Sequence, residues 1–341
     1  MIELFAHGIL QGVDMRISKA LVAIGLGAAI AACSFAQAAD KIVVGFSQIG
    51  AESEWRTANT NDVKAAAAKA GIELKFSDAQ QKQENQITAI RSFISQKVDA
   101  IGFVPIVETG WDNVLREAKR AKIPVVIMDR NLKADPSLYT AKIGTDSVEE
   151  GRKAFRWIDD YITKNNIKPR NGGDTINIVI LEGTVGASAA LGRSEGFNEA
   201  FAASPNKNKY KILASQTGDF TRQKGQEVME SFLKSYRNDI DVLFSQNDDM
   251  ALGAIQAIEA AGLKPAKDIV IVGADAVKGM FQAMIDGKAN ATIECNPLQG
   301  ELFFETIKKI LNNEEVPKSV FVEEGVYDAS TAAEVFPTRQ Y

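Results

Sequence analysis

From residue 42 onward the hydrophobic positions gather into short unbroken runs rich in Val and Ile, separated by stretches whose apolar residues recur three or four apart. The runs at 42–46, 73–76, 100–104, 125–128, 139–143, 176–181, 211–214, 242–244, 269–272 and 291–293 read as β-strands. Ile87, Ile90, Phe93 and Ile94, like Val228, Phe232 and Leu233, hold the spacing of one helix face. Strands without polar alternation are those covered on both sides, so the pattern predicts parallel sheets flanked by helices, an α/β doubly wound architecture. At 143–147, "IGTDS", four strand–helix units are complete and a new series begins, which marks a domain boundary. The polar stretch "KNNIKPRNGGD" at 164–174 reads as a loop rather than a linker.

The chain has 341 residues, 45% of them hydrophobic, enough for two ordinary cores. Its formal charge of −5 and the lack of a Lys/Arg cluster argue against a nucleic-acid partner. The first strand is preceded by "MRISKALVAIGLGAAIAACSFAQAAD", with basic Arg16 and Lys19, an apolar run from Ala20 to Ala32, and the small-x-small Ala36-Gln37-Ala38. This reads as an export signal cleaved near Ala38, with Met15 the true start. A membrane anchor would want about 20 apolar residues. A third reading takes the segment around Cys33 as a lipidation box, with Cys33 carrying a lipid anchor. Cleavage after Ala38 removes His7 and Cys33, leaving Cys295 as the mature chain's one cysteine and no histidine. Ser-His-Asp and Cys-His nucleophiles, histidine bases, ordinary zinc sites and an internal disulfide are then unavailable.

In open α/β sheets ligands bind beyond the carboxyl ends of the strands. The residues that follow the predicted strands are unusual. Ser47-Gln48 leads to Glu52, Trp55 and Arg56, and Met128 to Asp129 and Arg130. Leu181 leads to "EGTVGASAALGR", ending at Arg193, and Ala214 to "SQTGDF", ending at Phe220. Phe244 precedes "SQNDD" with Asn247, and Gly273-Ala274 precedes Asp275. One of the three residues Asn247-Asp248-Asp249 caps the following helix, which leaves Asn247 free to face the crevice. Planar acid, amide and guanidinium groups take paired bonds to hydroxyls, and an aromatic covers an apolar C–H face, so the set suits a polyhydroxylated ligand better than a phosphate.

At these residues the chain resembles the bacterial periplasmic sugar-binding proteins of ABC transporters, in the ribose-binding class related to the sugar-sensing domains of LacI-type repressors. The resemblance rests on "VVGFSQIG", "MDRN", "GTVGASAALGRSEGF", "GDFTRQKG", "FSQNDDMALGAIQAI", "VGADAV" and "ANATIECNP" in that order. "GAESEWR", "DAQQKQENQI" and "VETGWDNVL" resemble the galactofuranose binders of that class. Ribose binders typically carry an Asn and two Phe where this chain has "AESEWR". The resemblance implies a periplasmic binding protein type I fold, with two doubly wound parallel-sheet lobes joined by a three-segment hinge near Thr145, near Cys295 and around 322–324. An N-terminal lobe of 39–145 and 295–322 and a C-terminal lobe of 146–294 and 323–341 follow, after 1–38 as upstream extension and signal peptide. It implies ligand contacts from Glu52, Ser53, Glu54, Trp55, Arg56, Asp129, Arg130, Arg193, Asn247 and Asp275, with Phe220 as the opposing aromatic. Where ribose binders bond the sugar through a glutamine, this chain has Cys295, a packing residue instead. The implied partners are a monosaccharide, galactofuranose or else another furanose or pentose such as arabinose or ribose, and the permease subunits of the transporter. A periplasmic monomer with no catalytic residue, metal or cofactor is expected.

Three other functions compete. Asp129 and Asp275 could be the paired carboxylates of a glycoside hydrolase, but Arg130 beside Asp129 favours its ionised form and spoils a general acid. A repressor would need a helix-turn-helix ahead of the first strand, where an export signal stands. A receptor role in chemotaxis or sensing is compatible with transport.

Overall fold

The computed structural model describes residues 41–341, so the expectations for the export signal, Cys33 and His7 lie outside the described residues. The strands are β1 (Val43–Gln48), β2 (Glu73–Asp78), β3 (Ala100–Phe103), β4 (Val125–Asp129), β5 (Ala141–Gly144), β6 (Ile176–Glu182), β7 (Tyr210–Thr217), β8 (Val242–Ser245), β9 (Val270–Asp275), β10 (Ala291–Glu294), β11 (Ser319–Phe321) and β12 (Val326–Asp328). The helices are α1 (Glu54–Ala70), α2 (Gln83–Ser95), α3 (Asp112–Arg120), α4 (Ser147–Lys164), α5 (Ser188–Ala203), α6 (Arg222–Tyr236), α7 (Asp248–Ala260), α8 (Lys278–Ile285), α9 (Gly300–Leu311) and α10 (Ala332–Val335).

Two six-stranded sheets organise the chain, in the orders β11-β5-β4-β3-β1-β2 and β12-β10-β9-β8-β6-β7. The first five strands of each repeat one doubly wound order, parallel throughout, and only β12 runs antiparallel to its neighbour β10. The ten runs of Val and Ile all become strands. β6, "INIVILE", shows why: six of its seven residues are buried, because apolar clusters cover both faces of the sheet. Two further clusters flank the first sheet. The fourth strand–helix unit expected before the boundary is not a helix; β4 and β5 are joined by a 3₁₀ turn at Pro136–Leu138, set by Asp135 accepting from the Ser137 amide at 2.8 Å.

The chain passes between the sheets three times, from β5 into α4, from β10 into α9, and from β11 to β12. Each sheet with its helices is a lobe. The lobes meet directly: the Glu108 amide donates to the Gly186 carbonyl at 3.0 Å and the Asn131 amide to Ser188 Oγ at 2.7 Å. Within the second lobe α4 and α5 pack backbone to backbone. A Cβ on Gly196 would lie 1.8 Å from the Val148 carbonyl, so only glycine permits an approach that decides the pairing of Arg193 below.

Candidate functional site

The carboxyl ends of the two sheets face one another around a cavity lined by Glu52, Ser53, Trp55, Arg56, Asp129, Arg130, Ala189, Arg193, Phe220, Asn247, Asp275 and Cys295. Ten of the eleven residues expected at the site are therefore brought together. Glu54 is not among them. Successive helix residues turn by about 100°, so with Trp55 and Arg56 facing inward, Glu54 faces the opposite lobe along the cleft rim.

The first lobe contributes the start of α1 and the end of β4. Ser53 caps α1, its Oγ accepting from the Arg56 amide at 3.1 Å. Arg56 donates through Nε to Glu52 at 3.0 Å and through Nη2 to Asp129 at 2.8 Å, all three buried. Burial acts against the Arg56 charge, but Asp129 and Glu52 outweigh it and hold the guanidinium above its ordinary value. Asp129 ends β4 at a φ of 61°, a left-handed conformation that Asp tolerates better than most residues other than glycine. Arg130 donates to the Ile106 carbonyl at 3.1 Å. Burial, then the like charge of Arg56, lower Arg130 to about 10, still cationic at neutral pH.

The second lobe contributes the ends of β6 to β9. Phe220 sits at a φ of 61° with its ring on Gly183, where a Cβ would lie 1.9 Å from the ring. The Arg130 guanidinium lies 5.2 Å and that of Arg193 5.9 Å from the Phe220 ring centre, while Arg56 lies 4.5 Å from that of Trp55. Arg193 is buried within α5, donating to Glu150 at 2.6 Å and to the Gln246 carbonyl at 2.5 Å, with Asp275 at 3.7 Å. Burial pushes the Asp275 carboxyl well up; Arg193 opposes this and Asp248 adds to it. Asn247 is itself the cap of α7, accepting from the Met250 amide at 2.9 Å and donating to the Phe220 carbonyl at 3.0 Å. It is thus not free as expected, because the residue before Asp248 is the one with extended backbone. An amide has four bonding valences, so two remain for the cavity.

Trp55 Nε1 donates to the Cys295 carbonyl at 2.5 Å, which pins the indole to the second crossing. Cys295 was expected to be a packing residue; it is buried but also lines the cavity. Its Sγ, with carboxylate oxygens of Glu150 and Glu324, forms a group whose members lie within 4.8 Å of one another. One comes from near each crossing. Arg193 already occupies Glu150, and burial, then Glu150, keeps the Cys295 thiol protonated, so the set does not suit a cation. Burial, then Glu150, also pushes Glu324 up to about 10.

Glu150 escapes a reading based on strand ends because it lies a turn into α4, whereas Gln246 follows β8 directly within "SQNDD", where Asn247 alone was singled out. The available signal was Arg193 itself, since a guanidinium inside a helix-packed lobe requires a carboxylate. Three arginines and three carboxylates, Glu52, Asp129 and Asp275, give the lining no formal excess of either charge. Glu52 Oε2, Arg56 Nη1 and Arg130 Nε are buried without a protein partner, leaving acceptor and donor valences for hydroxyls.

Two like lobes joined by three crossings, with a polar cavity enclosed between their strand ends, define a two-lobed solute-binding protein. The chain belongs to the periplasmic binding protein domain family, which matches residues 19–315. It is 46% identical to the galactofuranose-binding protein YtfQ of Escherichia coli (strain K12) over 91% of this chain and 95% of that protein. A crystal structure from Mycobacterium smegmatis in complex with β-D-fucofuranose is 50% identical, with a TM-score of 0.82, covering 88% of this chain and 95% of that one. The binding component of the arabinose ABC transporter from Shewanella sp. ANA-3, bound to α- and β-L-arabinofuranose, is also 50% identical, with a TM-score of 0.81 and coverage of 87% and 95%. The resemblance and the fold class read from the sequence are thereby confirmed.

Proposed function

We propose that this chain is the periplasmic solute-binding component of an ABC importer, that it captures a furanose, galactofuranose in particular, and that it presents the sugar to a membrane permease. The observation that carries this reading is the cavity between the lobes, in which buried guanidinium and carboxylate groups with open valences surround Trp55 and Phe220. Glu52, Ser53, Arg56, Asp129, Arg130, Arg193, Asn247 and Asp275 serve as hydroxyl partners, and the two aromatics face the C–H surfaces. Support for a furanose comes from the relatives, named for galactofuranose or bound to fuco- and arabinofuranose. Arabinofuranose is the second reading, favoured by the Shewanella protein. The lobes, 39–145 with 295–322 and 146–294 with 323–341, close about the three crossings when the sugar bridges them. The chain is exported by a signal cleaved near Ala38, acts as a monomer, and carries out no turnover.

Calorimetric titration of ligand-stripped protein with galactose, L-arabinose and ribose, with mass spectrometry of any co-purified sugar, tests this. Galactose binds weakly by total concentration and tightly once corrected for its furanose fraction, and Asp129→Ala and Arg130→Ala abolish the heat. A preference for ribose, or normal affinity in both variants, overturns it.

A further inference from the structure

Glu54 and Asp249 lie at the rim of the cleft on opposite lobes, outside the cavity lining. The Glu54 amide, the first N–H of α1, donates to Asp249 Oδ2 at 2.7 Å. The first N–H groups of a helix have no partner within it, and the helix dipole favours a carboxylate there. Asp249 is thus a cap supplied to α1 by the other lobe, while it also lies in the first turn of α7. Its second oxygen accepts from Arg222 at 2.8 and 3.1 Å, which fixes its aim. The arrangement is reciprocal. The Glu54 carboxylate faces the Gly279 amide in the first turn of α8, close enough that a Cβ on Gly279 would lie 2.9 Å from Oε2, and it is 3.8 Å from Arg222. Each lobe therefore places one carboxylate at a helix N-terminus of the other, and neither contact can survive opening of the cleft.

We propose that Glu54 and Asp249 form a two-way latch across the cleft that sets how long the closed form lasts without touching the ligand. They are positioning residues, and the proposal rests on the reading of the cavity as a sugar site closed by the two lobes. A latch made after the sugar has entered retards its exit and leaves its entry alone. It acts equally on every sugar, because it contacts none.

The test uses Glu54→Gln, at a half-exposed position with no folding risk, and Asp249→Asn, each checked by melting temperature. Stopped-flow tryptophan fluorescence gives association and dissociation rates for galactose and for L-arabinose. Loss of a charge-assisted cap predicts dissociation faster by about tenfold in Asp249→Asn and about threefold in Glu54→Gln. Association stays within about twofold, and both sugars shift by the same factor. Unchanged dissociation in both variants overturns the latch, and so does a factor that differs between the sugars, which would mark a direct contact. If the wild type binds neither sugar, the ligand reading has failed instead, and the latch is read with the co-purified sugar that mass spectrometry identifies: faster dissociation of that sugar in both variants supports the latch, and unchanged dissociation refutes it.

Discussion

Glu324→Gln should stabilise the protein at neutral pH although it alters a carboxyl at the hinge. Glu324 accepts from the Asn296 amide at 3.0 Å, and burial followed by the Glu150 charge pushes it from an ordinary 4.5 up to about 10. Glu150 Oε1 is buried and meets no amide, hydroxyl or charged donor, so a proton on Glu324 is what can serve it. The folded state therefore binds one more proton than the unfolded chain between roughly pH 4.5 and pH 10, and stability falls as pH rises through that window. At about 1.4 kcal/mol per pH unit, taking up that proton at pH 7 costs about 3 kcal/mol. Glutamine is neutral at every pH, accepts from Asn296 and donates to Glu150, so it should recover about 1–3 kcal/mol after imperfect fit. Glu150→Gln is the contrast, since it deprives buried Arg193 of its anion and should cost about 3–5 kcal/mol. Urea denaturation from pH 5.5 to 9 reads both. Glu324→Gln should lie above the wild type by a margin that widens with pH. A loss of stability like that of Glu150→Gln, or a margin independent of pH, would refute a neutral Glu324.

Asn247→Ala removes the cap of α7 and the tie to Phe220, so it should cost about 1–2 kcal/mol by denaturation and weaken sugar binding in calorimetry more than melting alone explains; normal affinity would remove Asn247 from the site. Cys295, buried and held as a thiol, should react with a thiol reagent only as the cleft opens, so saturating sugar should slow modification in a stopped assay at pH 8, whereas equal rates with and without sugar would place the thiol outside the closed cleft.

The fold was legible where parallel strands are covered on both faces, because burial then leaves no polar alternation, as in β6 and β9. It was not legible at β11 and β12, three residues each and partly exposed, whose sequences resemble loops. The site was legible because a doubly wound sheet sends every strand's carboxyl end to the same edge, so Asp129, Phe220, Asn247 and Asp275 could be collected by position alone. What strand ends do not reveal is the partner of a buried charge. Glu150 required knowing that glycines let α4 and α5 touch, and Glu54 required the rotation of α1, since its neighbours on both sides line the cavity. The left-handed backbone at Asp129 and Phe220 likewise follows from tertiary contacts rather than local propensity.

The three crossings interleave the lobes along the chain, and this bears on how the protein is made. The first sheet acquires its last strand at Ser319–Phe321 and the second at Val326–Asp328. A chain emerging from the ribosome thus holds two unfinished sheets until residues 319–328 appear, and β5 and β10 stand as open edges meanwhile. The two halves are thus completed nearly at once, and neither lobe can finish its sheet ahead of the other by more than a few residues.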